Sequence, residues 1–187
     1  MSDLRDRIAQ VVMMGIGGLH PSQEERALVK QGAGGVILFE RNCRNPAQVA
    51  ELIEDLQETA RAKGLVGIPL IIAIDQEHGP VTRIKEGITP LPSAWAMGRI
   101  GDSDLVRRWA RINGRELATM GITMNLAPVA DILLHPENRV IGKRSFGTDP
   151  QLVSAMVAAF IEGLQGEGVA ACAKHYVGDG GTVFGTG

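Results

Sequence analysis

Continuous apolar runs alternate with amphipathic stretches along the whole chain. Val11-Val-Met-Met-Gly-Ile16, Val36-Ile-Leu-Phe-Glu40, Pro69-Leu-Ile-Ile-Ala-Ile-Asp75, Ile122 to Asp131 and Val169-Ala-Ala-Cys-Ala-Lys-His175 read as strands. The third is apolar at successive positions, the pattern of a strand buried on both faces, as in parallel sheets. Residues 3–10, Pro21 to Lys30, Asn45 to about Ala62, Ser103 to Met120 and Asp149-Pro150 to about Gln165 read as helices. Val49, Leu52, Ile53 and Leu56 recur at helical spacing. Asn45-Pro46 and Asp149-Pro150 are helix-start signals, and Gly32, Gly34 and Gly121 are stops. Asp75 to about Gly98 reads as a long loop, and so do Arg139 to Gly147 and the tail from Gly178.

Strand–helix alternation repeated five times predicts an α/β fold of parallel strands joined by right-handed crossovers. Two architectures fit that order: an open doubly wound sheet, or part of a (β/α) barrel. Met14-Gly-Ile-Gly-Gly18 lacks the third glycine of a dinucleotide loop, and no P-loop lysine motif is present, which weakens a nucleotide-binding reading.

Composition narrows the class. The chain has 187 residues, 44% hydrophobic and 21% charged, with a net charge of -2. That balance argues against a strongly basic nucleic-acid binder and gives no attraction to anionic membranes. No apolar run approaches the roughly 20 residues of a membrane span, and no signal peptide is evident at Met1; a cytoplasmic location is expected. Cys43 and Cys172 stand far apart and predict free thiols rather than a disulfide framework or zinc site. The 24 glycines, about twice the usual share of about 7%, predict many tight turns.

Polar side chains gather where strands end. Glu40 closes the second strand, and Asp75, Gln76, Glu77 and His78 the third. Asp131 follows the fourth, and Lys174 and His175 close the fifth. The C-terminal ends of barrel strands converge on one mouth. Acids (Asp75, Glu77, Asp131, Asp179) beside bases (Arg83, Arg144, Lys174) suit a neutral polyhydroxyl ligand, which needs both donors and acceptors. No metal-ligand spacing and no G-x-S-x-G elbow occur, so neither a metal nor a serine nucleophile is expected. No cofactor is implied.

Five stretches carry a family resemblance: Gly34-Gly-Val-Ile-Leu-Phe, Ile74-Asp-Gln-Glu-His-Gly, Asn125-Leu-Ala-Pro-Val-Ala-Asp131, Val140-Ile-Gly-Lys-Arg-Ser-Phe-Gly147 and Ala173-Lys-His-Tyr-Val-Gly-Asp-Gly. In order and spacing the chain resembles the N-terminal (β/α) barrel domain of glycoside hydrolase family 3, closest to bacterial β-N-acetylhexosaminidases. The resemblance implies that residues 1–187 form about five βα units, the first portion of a TIM (β/α)8-type barrel domain. It also implies a small carbohydrate substrate and removal of terminal β-linked N-acetylglucosamine, in peptidoglycan recycling. Asp75, Arg83, Arg144, Lys174 and His175 are the substrate-binding residues it implies. Asp131 is expected to orient neighbouring loops; Glu77 and Glu40 are left without a role.

Two positions depart from the hexosaminidase pattern. His78-Gly79-Pro80 stands where Gly-Gly-Arg is usual, and Tyr176-Val-Gly-Asp-Gly180 is similar to the β-glucosidase and glucanase branch. The family's retaining mechanism places its nucleophile on a later strand. The expectation is therefore a chain truncated before the nucleophile, with no catalytic residue of its own. A non-catalytic carbohydrate-binding or assembly fragment is the alternative. Unpaired terminal strands would also favour self-association.

Overall fold

The computed structural model describes residues 4–62 and 68–183, leaving residues 1–3, 63–67 and 184–187 of the helix, loop and tail readings outside the described residues. Five strands, β1 (Met13–Gly15), β2 (Gly35–Leu38), β3 (Ile71–Ile74), β4 (Met124–Asn125) and β5 (Ala170–Ala171), alternate with helices. They neighbour one another in chain order, β1-β2-β3-β4-β5. A doubly wound sheet reverses its order at a switch point. A monotonic order without reversal is that of a (β/α) barrel, so topology decides between the two architectures left open by the pattern.

The chain divides into two compact units: residues 1–74, 83–88 and 119–124, and residues 75–82, 89–118 and 125–187. In the first, β1 pairs parallel with β2 and β2 with β3, with Val36 opposite Ile72 and Leu38 opposite Ile74. Helices α1 (Leu4–Ala9), α2 (Gln23–Lys30) and α3 (Pro46–Arg61) belong to it. The Ser22 hydroxyl accepts from the Glu25 N–H, and Glu25 reaches back to the Ser22 N–H, a capping box that starts α2. Asn45 caps α3 through the Gln48 N–H, with Pro46 in the first turn. Val49, Leu52, Ile53 and Leu56 are all buried, each contributing about 1.5–3 kcal/mol on the burial scale.

The second unit holds α4 (Ala94–Ile100), most of α5 (Ser103–Thr119) and α6 (Pro150–Gln165). Helix α4 corrects the reading of Asp75 to Gly98 as loop. Its start and stop signals are local: the Ser93 hydroxyl accepts from the Ala96 N–H, and Gly101 adopts the left-handed conformation that ends the helix. β4 and β5 are shorter than their apolar runs. Beyond Asn125 the backbone still bonds toward residues 172–174, through Cys172 N–H to Ala127 (3.0 Å) and Lys174 N–H to Pro128 (3.1 Å). The proline ring removes one donor there, so the pairing continues without a regular ladder. Val129, Leu133 and Ile141, with Trp95 packed against them, form a small core below this segment.

Candidate active site

The site is built in the second unit from the segments that follow β3, β4 and β5. After Ile74 the chain leaves the strand, and Asn125 takes over the pairing. Its side chain accepts from the Gln76 N–H (3.0 Å) and donates to the Gln76 carbonyl (3.0 Å), while Asn113 donates to the same carbonyl (3.2 Å). Asn125 acts as a substitute strand neighbour, holding Asp75 and Glu77 on either side of a fully buried Gln76. The Glu77 N–H donates to the Val81 carbonyl (3.0 Å) and closes a turn at Gly79. Gly79 has φ +64°, and a Cβ there would lie 2.5 Å from that of Ser93, so both conformation and space require glycine.

A chain of alternating charges runs through the site. Lys174 Nζ lies 2.8 Å from Asp75 Oδ1 and 2.6 Å from Glu77 Oε1. Glu77 also accepts a two-point contact from Arg144, Nε to Oε2 and Nη2 to Oε1, both at 2.9 Å. Arg144 Nη2 then approaches His175 Nε2 at 3.3 Å, and His175 Nδ1 lies 2.7 Å from Asp131 Oδ2. The Glu77 and Asp131 side chains are 5% and 0% exposed, against 36% for His175. The Glu77 hydrogen bond raises the Arg144 pKa further against the opposing effect of burial. Burial works against the charged form of Asp131, but N–H groups of Asp179 and His175 and the His175 ring outweigh it and hold the carboxyl below its ordinary range.

Beside this chain lies a cleft of about 510 Å³, lined by Asp131, Lys174, His175 and the loop of Tyr176 to Gly181. That volume falls in the range of about 300–1,000 Å³ usual for small-molecule sites. Tyr176 and Val177 are almost fully exposed on the loop. Asn138, fully buried, ties the loop down by donating to the carbonyls of Asp179 (2.8 Å) and Thr182 (2.9 Å). Among the described residues no three His, Cys, Asp or Glu side chains come together as a metal site. No helix among them is long and apolar enough to cross a membrane.

Four of the five residues expected to bind substrate, Asp75, Arg144, Lys174 and His175, are thus brought into one network. Arg83 lies in the first unit, its guanidinium 5.9 Å from the centre of the Phe39 ring. Glu40, read as the end of a strand, instead begins a 3-10 turn (Glu40–Asn42) and pairs with Lys85 at 2.5 Å. Burial pushes the neighbouring Cys43 thiol up to about 11, which marks it as unreactive. Glu77, left without a role, is the hub of the network. Its signal was two cations at the ends of other segments, and no local pattern pairs residues that far apart. Asp131 does orient loops, and it also holds the His175 ring.

His78 is buried beside the site with φ +69°, and its Nε2 has no hydrogen-bond partner among the described residues. Burial lowers its pKa, against a hydrogen bond to the Asn113 side chain and the field of Glu116. The unfolded ring takes a proton near about pH 6.5; the folded ring does so only at lower pH. Stability is therefore fully present above about 6.5 and falls below it, by at most about 1.4 kcal/mol per pH unit for one proton. Urea unfolding at pH 7.5 and 5.5 checks this. His78→Asn, which tolerates positive φ, is expected to flatten the difference; an unchanged slope would exclude His78 as its source.

Comparison with known proteins bears on what such a network is for. A "Beta-hexosaminidase" of Bordetella avium (strain 197N) is 39% identical over 171 residues, covering 88% of this chain and 47% of the relative. One of Shewanella frigidimarina (strain NCIMB 400) is 38% identical over 179 residues, covering 90% and 49%. The chain spans about half the length of the curated relatives it matches. Among solved structures, a family 3 β-N-acetylglucosaminidase from Paenibacillus sp. str. FPU-7 superposes with a TM-score of 0.94 at 42% identity, covering 98% of this chain and 35% of that one. NagZ from Neisseria gonorrhoeae, in complex with N-trifluoroacetyl-D-glucosamine, gives 0.84 at 32% identity, covering 94% and 52%. The model of the glycosyl hydrolase family 3 N-terminal domain matches residues 3–186. With matching family sequence, chain-order parallel strands and the charged network on one site, this chain belongs to the glycosyl hydrolase family 3 N-terminal domain.

Proposed function

We propose that the chain supplies the sugar-binding part of a glycoside hydrolase that removes terminal β-linked N-acetylglucosamine with retention of configuration. The observation that carries this reading is the Asp75–Lys174–Glu77–Arg144–His175 network beside an open cleft. Sugar hydroxyls both donate and accept. Asp75 supplies acceptors, Lys174 and Arg144 supply donors, and His175 supplies a ring nitrogen. Arg83, in the first unit, is proposed as a further substrate-binding residue. Because the charges are paired before sugar arrives, their geometry is set in advance and less is lost on ordering them. The relatives' names, β-hexosaminidase and β-N-acetylglucosaminidase, support N-acetylglucosamine as the sugar. A role in cytoplasmic peptidoglycan recycling extends the same reading.

Retention needs a nucleophilic carboxylate and a proton donor about 5–5.5 Å apart. We assign neither to this chain. Asp75 and Glu77 share Lys174, and Asp131 is enclosed by N–H donors, so each of these carboxylates is already engaged. A second reading, a glucosidase-type enzyme, is favoured by Asp179 in the loop beside the cleft. Chromogenic β-N-acetylglucosaminide and β-glucoside, offered to the chain together with thermal-shift titrations of the free sugars, separate the two. Stabilisation by N-acetylglucosamine but not glucose is expected. The reverse preference would transfer the site to the glucosidase branch, and no response to either sugar would remove the binding role.

A further inference from the structure

We propose that Asp131 is a positioning residue: its buried carboxylate sets the His175 ring as the neutral Nδ1–H tautomer and ties that ring to the backbone of the 178–180 loop. Among the described residues, each hydrogen-bond partner of this carboxylate is a donor. Oδ2 accepts from the His175 backbone N–H (3.1 Å) and lies 2.7 Å from ring Nδ1. Oδ1 accepts from the N–H groups of Asp179 and Gly180, the latter at 3.3 Å. A carboxylate held ionised can only accept, so the proton between Asp131 and the ring resides on Nδ1.

The opposite side of the ring leads to the same assignment by an independent route. Arg144 Nη2 approaches Nε2 at 3.3 Å, and a guanidinium can only donate. Nε2 must therefore present its lone pair. Arg144 cannot readily turn away, because Glu77 grips it at two points and Nη1 donates to the Val140 carbonyl (3.1 Å). A ring protonated on both nitrogens would set an N–H against the guanidinium. Two neighbours from different segments thus specify one tautomer. The consequence rests on the sugar-binding reading above: an Nε2 lone pair that faces Arg144 at 3.3 Å offers a sugar hydroxyl only an acceptor shared with that guanidinium, whereas the other tautomer would donate a hydrogen.

The loop is coupled through the same group. Asp131 Oδ1 anchors the start of the segment that lines the cleft, and the Gly180 carbonyl accepts from the Leu134 N–H (3.1 Å). A Cβ on Gly180 would lie 1.9 Å from the Ile132 carbonyl oxygen, so this anchor is a close backbone approach. Tautomer and loop position are therefore set by one carboxylate.

The test is nitrogen NMR of the 15N-labelled chain at pH 8, above the ordinary imidazole range. His175→Gln identifies the His175 signals among the four histidines. The expected spectrum has an N–H-type shift at Nδ1 and a lone-pair-type shift at Nε2. In Asp131→Asn the Asp179 and Gly180 amide protons are expected to move upfield, and in Asp131→Asn combined with Arg144→Met, which also removes the second constraint, the ring is expected to redistribute toward Nε2–H. A wild-type ring in the Nε2–H or averaged form would overturn the proposal. So would a folded chain carrying Asp131→Asn and Arg144→Met that keeps the wild-type tautomer. If that variant does not fold, the wild-type Nδ1–H proton decides: slow exchange supports the proposal, and rapid exchange with water overturns it. None of these readings requires sugar, so a failed sugar-binding assay and a failed tautomer assignment remain distinguishable.

Discussion

Glu77→Ala is expected to destabilise the chain by about 3–5 kcal/mol, the range for removing one partner from a buried ion pair, and to abolish sugar binding. Glu77 is 5% exposed and neutralises two cations that are themselves only 14% and 15% exposed, Lys174 and Arg144. After the substitution Lys174 retains Asp75, and among the described residues Arg144 retains only the Val140 carbonyl and the approach to His175. A guanidinium that loses its two-point carboxylate while largely out of water has no equivalent replacement. Glu77→Gln separates charge from shape. Its amide oxygen serves one cation while its NH2 opposes the other, so a smaller loss of about 1.5–3 kcal/mol follows. Urea midpoints at unchanged slope give the stability change. Sugar titration well below the unfolding temperature gives the binding change. Full binding by a folded Glu77→Ala chain would remove Glu77 from the site.

That hub shows which features the sequence could reveal. Helix starts were legible because capping is local: Asn45 and Asp149 each serve an N–H two or three residues away. The buried stripe of α3 was legible because Val49, Leu52, Ile53 and Leu56 share one face. Helix α4 was missed although Ser93 and Gly101 mark its ends, because a seven-residue helix carries too little periodicity to stand out from a Pro- and Gly-rich segment. β4 was overestimated because an apolar run records burial, whereas a ladder also needs a donor at each alternate residue, and Pro128 has none. Strand-end carboxylates and cations were legible as a set. Their pairing was not: Glu77 meets Arg144 across 67 residues and Asp75 meets Lys174 across 99, and only the folded topology brings them together. Asn125 was visible only as part of a family motif. Its work, completing the backbone pairing of Gln76, appears once the side chain is placed.

Gly98→Ala is expected to lower stability by at least about 3 kcal/mol and to weaken sugar binding with it. Helix propensity alone predicts the opposite, since alanine inside a helix is favoured over glycine by about 0.5–1 kcal/mol. Packing decides the sign. A Cβ on Gly98 would lie 1.6 Å from the Phe146 carbonyl oxygen and 2.6 Å from its carbon. Overpacking ordinarily costs about 1–3 kcal/mol when side chains can give way, but here the obstacle is backbone. That backbone is itself held: Phe146 is buried against Phe160 in an edge-on contact at 6.4 Å, and the Ser145 hydroxyl donates to the Asp131 carbonyl at 2.6 Å. Either α4 or the 144–147 segment must move. Moving that segment carries Arg144 away from Glu77 and disturbs the backbone on which Asp131 stands. The loss of binding should therefore exceed what partial unfolding explains, and titrating sugar into the fully folded fraction at low temperature measures the excess. A Gly98→Ala chain as stable as the wild type, or more stable, would mean that α4 does not rest on the Phe146 backbone, and the support for Arg144 would have to be sought elsewhere.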